Sequence, residues 1–85
     1  MRYEIVFTKS ALRELVNLPD QEVKRIVDKI DLLADDPRPH GSKKLKGLEN
    51  EFWRIRVGQY RVVYSIEDII RVVEIIGVGH RKDIY

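Results

Sequence analysis

Three arginines, Arg54, Arg56 and Arg61, lie close together in a β-branched and aromatic stretch. A guanidinium fork matches phosphate oxygens in pairs and keeps its charge at any working pH. A second group closes the chain: Gly79-His80-Arg81-Lys82-Asp83-Ile84-Tyr85. It combines an imidazole, whose reference pKa of about 6.5 suits proton transfer, with two cations and a phenol that can donate a proton or stack on a base. A third run, Lys43-Lys44-Leu45-Lys46, adds three ammonium groups. These residue types can grip a phosphate backbone, stabilise charge and move protons. The chain has no cysteine, which excludes disulfides and thiolate metal sites. Its His, Asp and Glu spacing suggests no metal cluster, so neither metal nor cofactor is expected.

Local elements must place these groups. Tyr3 to Phe7 is short, β-branched and aromatic, and predicts a strand. Thr8 or Ser10 can cap a helix carrying Ala11, Leu12, Leu15, Val16 and Leu18 at helical spacing. Pro19 suits the first turn of a second helix, whose stripe of Val23, Ile26, Val27, Ile30, Leu33 and Ala34 ends at Asp35-Asp36-Pro37. Arg38 to Ser42 reads as a loop, Lys43 to Lys46 as a short strand or basic loop, and Gly47 to Glu51 as a turn. Phe52–Val57, Tyr60–Ile66 and Arg71–Val78 predict three strands, the first two joined by a Gly58-Gln59 turn. The expected fold is α+β: an N-terminal strand, a two-helix hairpin and an antiparallel β-meander, with the helices packed on one sheet face.

A two-residue turn at Gly58-Gln59 fixes a register. It sets Val57 opposite Tyr60, Arg56 opposite Arg61, Ile55 opposite Val62, Arg54 opposite Val63 and Trp53 opposite Tyr64. Trp53, Ile55, Val57, Tyr60, Val62, Tyr64 and Ile66 then form the core face. Arg54, Arg56 and Arg61 share the other, exposed face, joined there by Glu74, Ile76 and His80. Like charges facing each other across strands are unfavourable. The arginines either splay into water or meet a counter-charge, in part Glu74 and in part a phosphate.

The 85 residues carry a net charge of only +2. The balance is uneven: −2 over residues 1–37 and +4 over 38–85. Such a basic segment attracts phosphate backbones or acidic protein surfaces. A 44% hydrophobic content is globular, and the length bounds one domain, 1–85. No secretory signal and no membrane span is expected, and the absence of cysteine suits a cytoplasmic protein.

Three blocks carry a resemblance: Lys43-Lys44-Leu45-Lys46-Gly47, then Phe52-Trp53-Arg54-Ile55-Arg56-Val57-Gly58-Gln59-Tyr60-Arg61-Val62-Val63-Tyr64, then Val78-Gly79-His80-Arg81-Lys82-Asp83-Ile84-Tyr85. Together they resemble the RelE/ParE toxin superfamily over essentially the whole chain, and the tail resembles the RelE branch. The resemblance implies cleavage of mRNA in the ribosomal A site and neutralisation by a wrapped, RelB-like antitoxin. It further implies catalytic roles for Arg54, Arg61, Arg81 and Tyr85, with Arg56 among the basic positions. Arg61 and Arg81 are expected to stabilise a phosphorane formed by metal-free 2′-OH attack. Arg54 and Arg56 would position the backbone, and Tyr85 or His80 would move protons. Lys43, Lys44 and Lys46 would grip phosphates of ribosomal RNA, and the expected partners are mRNA and the ribosome with its 16S rRNA. The ParE branch implies a different outcome, gyrase inhibition without RNA cleavage. A non-catalytic RNA- or antitoxin-binding module is the third reading.

Overall fold

The computed structural model describes residues 2–45 and 51–80. Strand β1 (Glu4–Phe7) leads into helices α1 (Lys9–Val16) and α2 (Asp20–Leu32), followed by β2 (Lys43–Leu45), β3 (Phe52–Val57), β4 (Tyr60–Glu67) and β5 (Val72–His80). Thr8 is the cap of α1: its hydroxyl accepts from the Ala11 amide at 3.0 Å. That satisfies one of the amides a helix start leaves unpaired. Pro19 sits one position earlier than expected, as the extended residue before α2, while Asp20 and Glu22 complement the positive helix end.

The sheet order is β1-β5-β4-β3-β2. The meander β2–β5 is antiparallel, but β1 pairs in parallel with β5. Alternation along a strand shows which residues face inward and says nothing about which neighbour the strand chooses, so this pairing was not readable from the sequence. Ala11 and Leu15 of α1 and Ile26 and Ile30 of α2 pack with Ile55, Val57, Val62, Tyr64, Val73, Ile75 and Val78 in one core. Leu12 and Val16 belong to the same helical spacing as Leu15 yet remain exposed. An eight-residue helix lying on a sheet buries only a narrow stripe.

The predicted β3–β4 register holds at all five pairs. Gly58 has φ +59° and Gln59 no positive φ, the Gly-X hairpin turn whose twist matches the strands. Strand β5 runs on to His80, so Gly77 and Gly79 lie inside it rather than loosening its exit. Tyr64, 0% exposed, donates its hydroxyl proton to the Pro37 carbonyl at 2.7 Å and ties the loop ahead of β2 to the core. No helix among the described residues is long and apolar enough to cross a membrane.

Candidate nucleic-acid interface

The face turned away from the helices is built from rungs that cross the strands. One rung reads Lys43 on β2, Arg54 on β3, Val63 on β4 and Gly77 on β5. The next reads Arg56 on β3, Arg61 on β4 and Gly79 on β5. Directly paired residues project to the same side. Four cations therefore occupy two adjacent rungs, flanked on the β5 side by glycines that carry no side chain. Gly79 therefore sets no β5 side chain directly beside Arg61.

The face is less open than its sequence suggests. Arg54 is only 6% exposed and Arg61 is half-buried, whereas Arg56 is exposed. Arg54 lies on an interior stretch of sheet with Lys43 and Val63 on either side. Arg56 lies beyond the point where β2 stops pairing.

Two other placements differ from expectation. Glu74 is on the arginine side but opposite Ser65. Ser65 is four residues along β4 from Arg61, about 13 Å at ~3.3 Å per residue. His80 falls opposite Tyr60, on the helix-bearing side, and its ring meets the Tyr60 ring edge-on with centroids 5.9 Å apart. The cause is a bulge. The β4–β5 register shifts between Val63 and Tyr64, with Tyr64 opposite Ile75 but Val63 opposite Gly77, so Ile76 is the extra residue. One added residue exchanges the faces of everything after it.

The bulge is held from the first helix. Thr8 bonds the Ile75 carbonyl through its amide at 3.0 Å and the Ile76 carbonyl through its hydroxyl at 3.4 Å. The Glu14 carboxylate accepts from the Val78 amide at 3.0 Å. Strand β1 ends at Phe7, opposite Ile75. Beyond that point Glu14 satisfies an edge amide that β1 no longer reaches. Sequence reading missed Thr8 and Glu14 in this role, since their partners lie more than sixty residues away. The signal available was the pair of glycines inside an otherwise apolar strand, which often marks a bulge.

The lysine run divides. Lys43 lies on the arginine rung, while Lys44 is opposite Trp53 on the other side and pairs with Glu51 at 2.9 Å. Lys46, Arg81 and Tyr85, and the turn expected from Gly47 onward, lie outside the described residues. Arg38, counted in the basic middle of the chain, is engaged elsewhere. Its guanidinium holds both Asp68 oxygens, at 3.2 and 2.8 Å, and stacks over the Trp53 ring at 5.2 Å. Tyr3 donates to the same carboxylate at 2.7 Å. These bonds, the Arg38 one first, hold the Asp68 pKa down at about 2.

Comparison with known proteins identifies the family. Residues 5–85 match the family model described as the ParE toxin of a type II toxin–antitoxin system, parDE. Toxin RelG of Mycobacterium tuberculosis is 35% identical, with 100% of this chain and 98% of that protein covered. The fold superposes on an archaeal RelE–RelB complex from Pyrococcus horikoshii with TM-score 0.84, at 29% identity, covering 98% of this chain and 99% of that one. It also superposes on the RelBE2 toxin–antitoxin complex of Mycobacterium tuberculosis with TM-score 0.83, at 30% identity, covering 95% and 100%. The chain belongs to the RelE/ParE superfamily and is a RelE-like toxin of a type II toxin–antitoxin system.

Proposed function

We propose that this toxin is an mRNA endoribonuclease acting in the ribosomal A site, in the cytoplasm, and held inactive by a RelB-like antitoxin. The observation that carries the reading is the pair of adjacent rungs, Lys43–Arg54 and Arg56–Arg61, continued on β5 by glycines. Such a surface seats one phosphate between several fixed donors and lets the sugar-phosphate chain lie against the sheet.

The RNA 2′-oxygen attacks the neighbouring phosphorus, giving a 2′,3′-cyclic phosphate as the 5′-oxygen departs. Arg61 and Arg81 stabilise the phosphorane, Arg54 and Arg56 orient the backbone, and Lys43 and Lys46 extend the phosphate grip. A guanidinium keeps its proton at working pH and is a poor base. Tyr85 is therefore the proton carrier of choice: a phenolate, which nearby cations would favour, takes the 2′-OH proton and passes it to the departing 5′-oxygen. His80, edge-on to Tyr60 on the helix-bearing side of the sheet, is not assigned this role.

Induction of Arg61→Ala or Arg81→Ala should leave growth unaffected, with circular dichroism unchanged from wild type. Primer extension on mRNA after wild-type induction should show ribosome-dependent, codon-phased cuts. Two fully toxic mutants would defeat the site assignment. The matching family model carries the ParE description, and this favours gyrase inhibition as the second reading. Double-strand DNA breaks with intact mRNA would establish it.

A further inference from the structure

The arginine side of the sheet continues past its cations and changes character there. Phe52 lies two residues before Arg54 on β3, and Ser65 lies two residues after Val63 on β4. Both therefore project to the arginine side, and the Trp53↔Tyr64 pair sets them next to each other. Glu74 on β5 is paired with Ser65. With Glu67 and the bulge residue Ile76 they line an open hollow of about 430 Å³, a size shared by small-ligand sites. No ion pair among the described residues takes the exposed Glu74 carboxylate, whereas Glu51, also at the hollow, is held by Lys44. Three rungs thus follow one another on one side: Arg56–Arg61, then Lys43–Arg54, then Phe52–Ser65–Glu74. Successive rungs are about 7 Å apart, two residues at ~3.3 Å each.

We infer that this hollow is a guanine subsite, which reads one base of the RNA outside the two nucleotides joined at the cut. For its ligand it rests on the functional reading above. A phosphate at Arg61 puts the next phosphate of an extended strand on the Lys43–Arg54 rung, and the base beyond that phosphate reaches the hollow. Phe52 offers a ring on which any base can stack. Selection falls to Glu74, because a carboxylate only accepts hydrogen bonds. Guanine presents two adjacent donors, its ring N–H and its exocyclic amino group, which fork onto two carboxylate oxygens as a guanidinium does. Adenine and cytosine set an acceptor nitrogen beside their amino group, and uracil flanks its single N–H with carbonyls. Each of these turns a lone pair toward the carboxylate. The order of charge along the sheet favours the same pose. A strand laid the other way sets its phosphates against Glu67 and Glu74, whereas an uncharged base meets no such repulsion. A basic peptide would use the carboxylate but be repelled by the four cations on the neighbouring rungs.

Two readouts separate the subsite from the reaction. Wild-type cut sites mapped across cellular mRNA should be enriched about fivefold in guanine at one fixed position outside the two nucleotides joined at the cut, as a bidentate base contact gives. Glu74→Gln, at an exposed position and checked by circular dichroism, should exchange that preference for adenine, since an amide offers one donor and one acceptor. Binding needs no cleavage. A 2′-O-methyl RNA hexamer with one guanine among uridines should bind the purified chain about fivefold tighter than its inosine counterpart, which lacks the exocyclic amino group. Glu74→Gln should bind the two alike, and Phe52→Leu should weaken both together by about fivefold. No guanine enrichment, or enrichment confined to the two nucleotides at the cut, would overturn the inference. So would a preference that Glu74→Gln leaves unchanged, or equal binding of the two hexamers by wild type. An oligoarginine peptide that needs Glu74 and does not compete with the guanine hexamer would overturn it as well. A wild-type chain that cuts no mRNA while the hexamers behave as expected defeats the functional reading and leaves the guanine site standing.

Discussion

Replacing Tyr64 with Phe removes one hydroxyl at a site with no solvent access. The ring is fully buried and its hydroxyl donates to the Pro37 carbonyl at 2.7 Å. Phe fills the same space but leaves that carbonyl without its donor, at a cost of about 1–2 kcal/mol. A chain of this length has a urea m-value near the low end of ~1–3 kcal/mol/M, so the midpoint should fall by roughly 1 M with m unchanged. The same group makes a second, independent prediction. Burial pushes the Tyr64 pKa up to about 12 from its ordinary 10.0. The fold therefore favours the neutral phenol. That contribution is complete below pH ~10 and is lost as pH rises from ~10 to ~12. One unit above the unfolded-state pKa, wild type has lost about 1.4 kcal/mol that Tyr64→Phe never possessed. Urea unfolding of both proteins should show a clear gap at pH 8 that has largely closed by pH 11. Other titrating groups cancel in the comparison. A gap that stays constant from pH 8 to 11 would show that the buried hydroxyl is not what couples the core to the loop before β2.

Glu14 should act through the Val78 amide. Glu14→Leu removes the acceptor, and hydrogen exchange at Val78 should accelerate about fivefold, as expected for a loss of ~1 kcal/mol. Glu14→Gln should restore most of the protection; equal exchange in all three proteins would remove Glu14 from the bulge. Asp68, held at about pKa 2 by Arg38 and Tyr3, stabilises the fold above pH ~4, and the contribution is lost as pH falls from ~4 toward ~2. Thermal unfolding of Asp68→Asn should show a shallower fall between pH 5 and 2.5 than wild type, and parallel curves would contradict the assigned pairing.

The helices, the three long strands and the hairpin register were all legible. Each rests on local physics: the 3.6 and 2 periodicities, a hydroxyl cap, and a glycine that accepts positive φ. The grouping of Arg54, Arg56 and Arg61 on one side followed from that register alone. The placement of His80 did not. It depends on one extra residue at Ile76, tolerated because Thr8 and Glu14 supply bonds from the first helix. Arg38, counted only in the charge of the basic segment, pairs with Asp68, thirty residues on.

The sequence by itself determined which residues alternate, which turn closes the hairpin, and therefore that arginines share a face. These are properties of neighbours in the chain. Tertiary structure decided the parallel pairing of β1 with β5 and the burial of Arg54. It also decided the division of Lys43 from Lys44 and the bulge that clears side chains from beside Arg61. Each of these depends on contacts between distant segments, where the balance of packing and hydrogen bonding is set only once the sheet and helices are assembled.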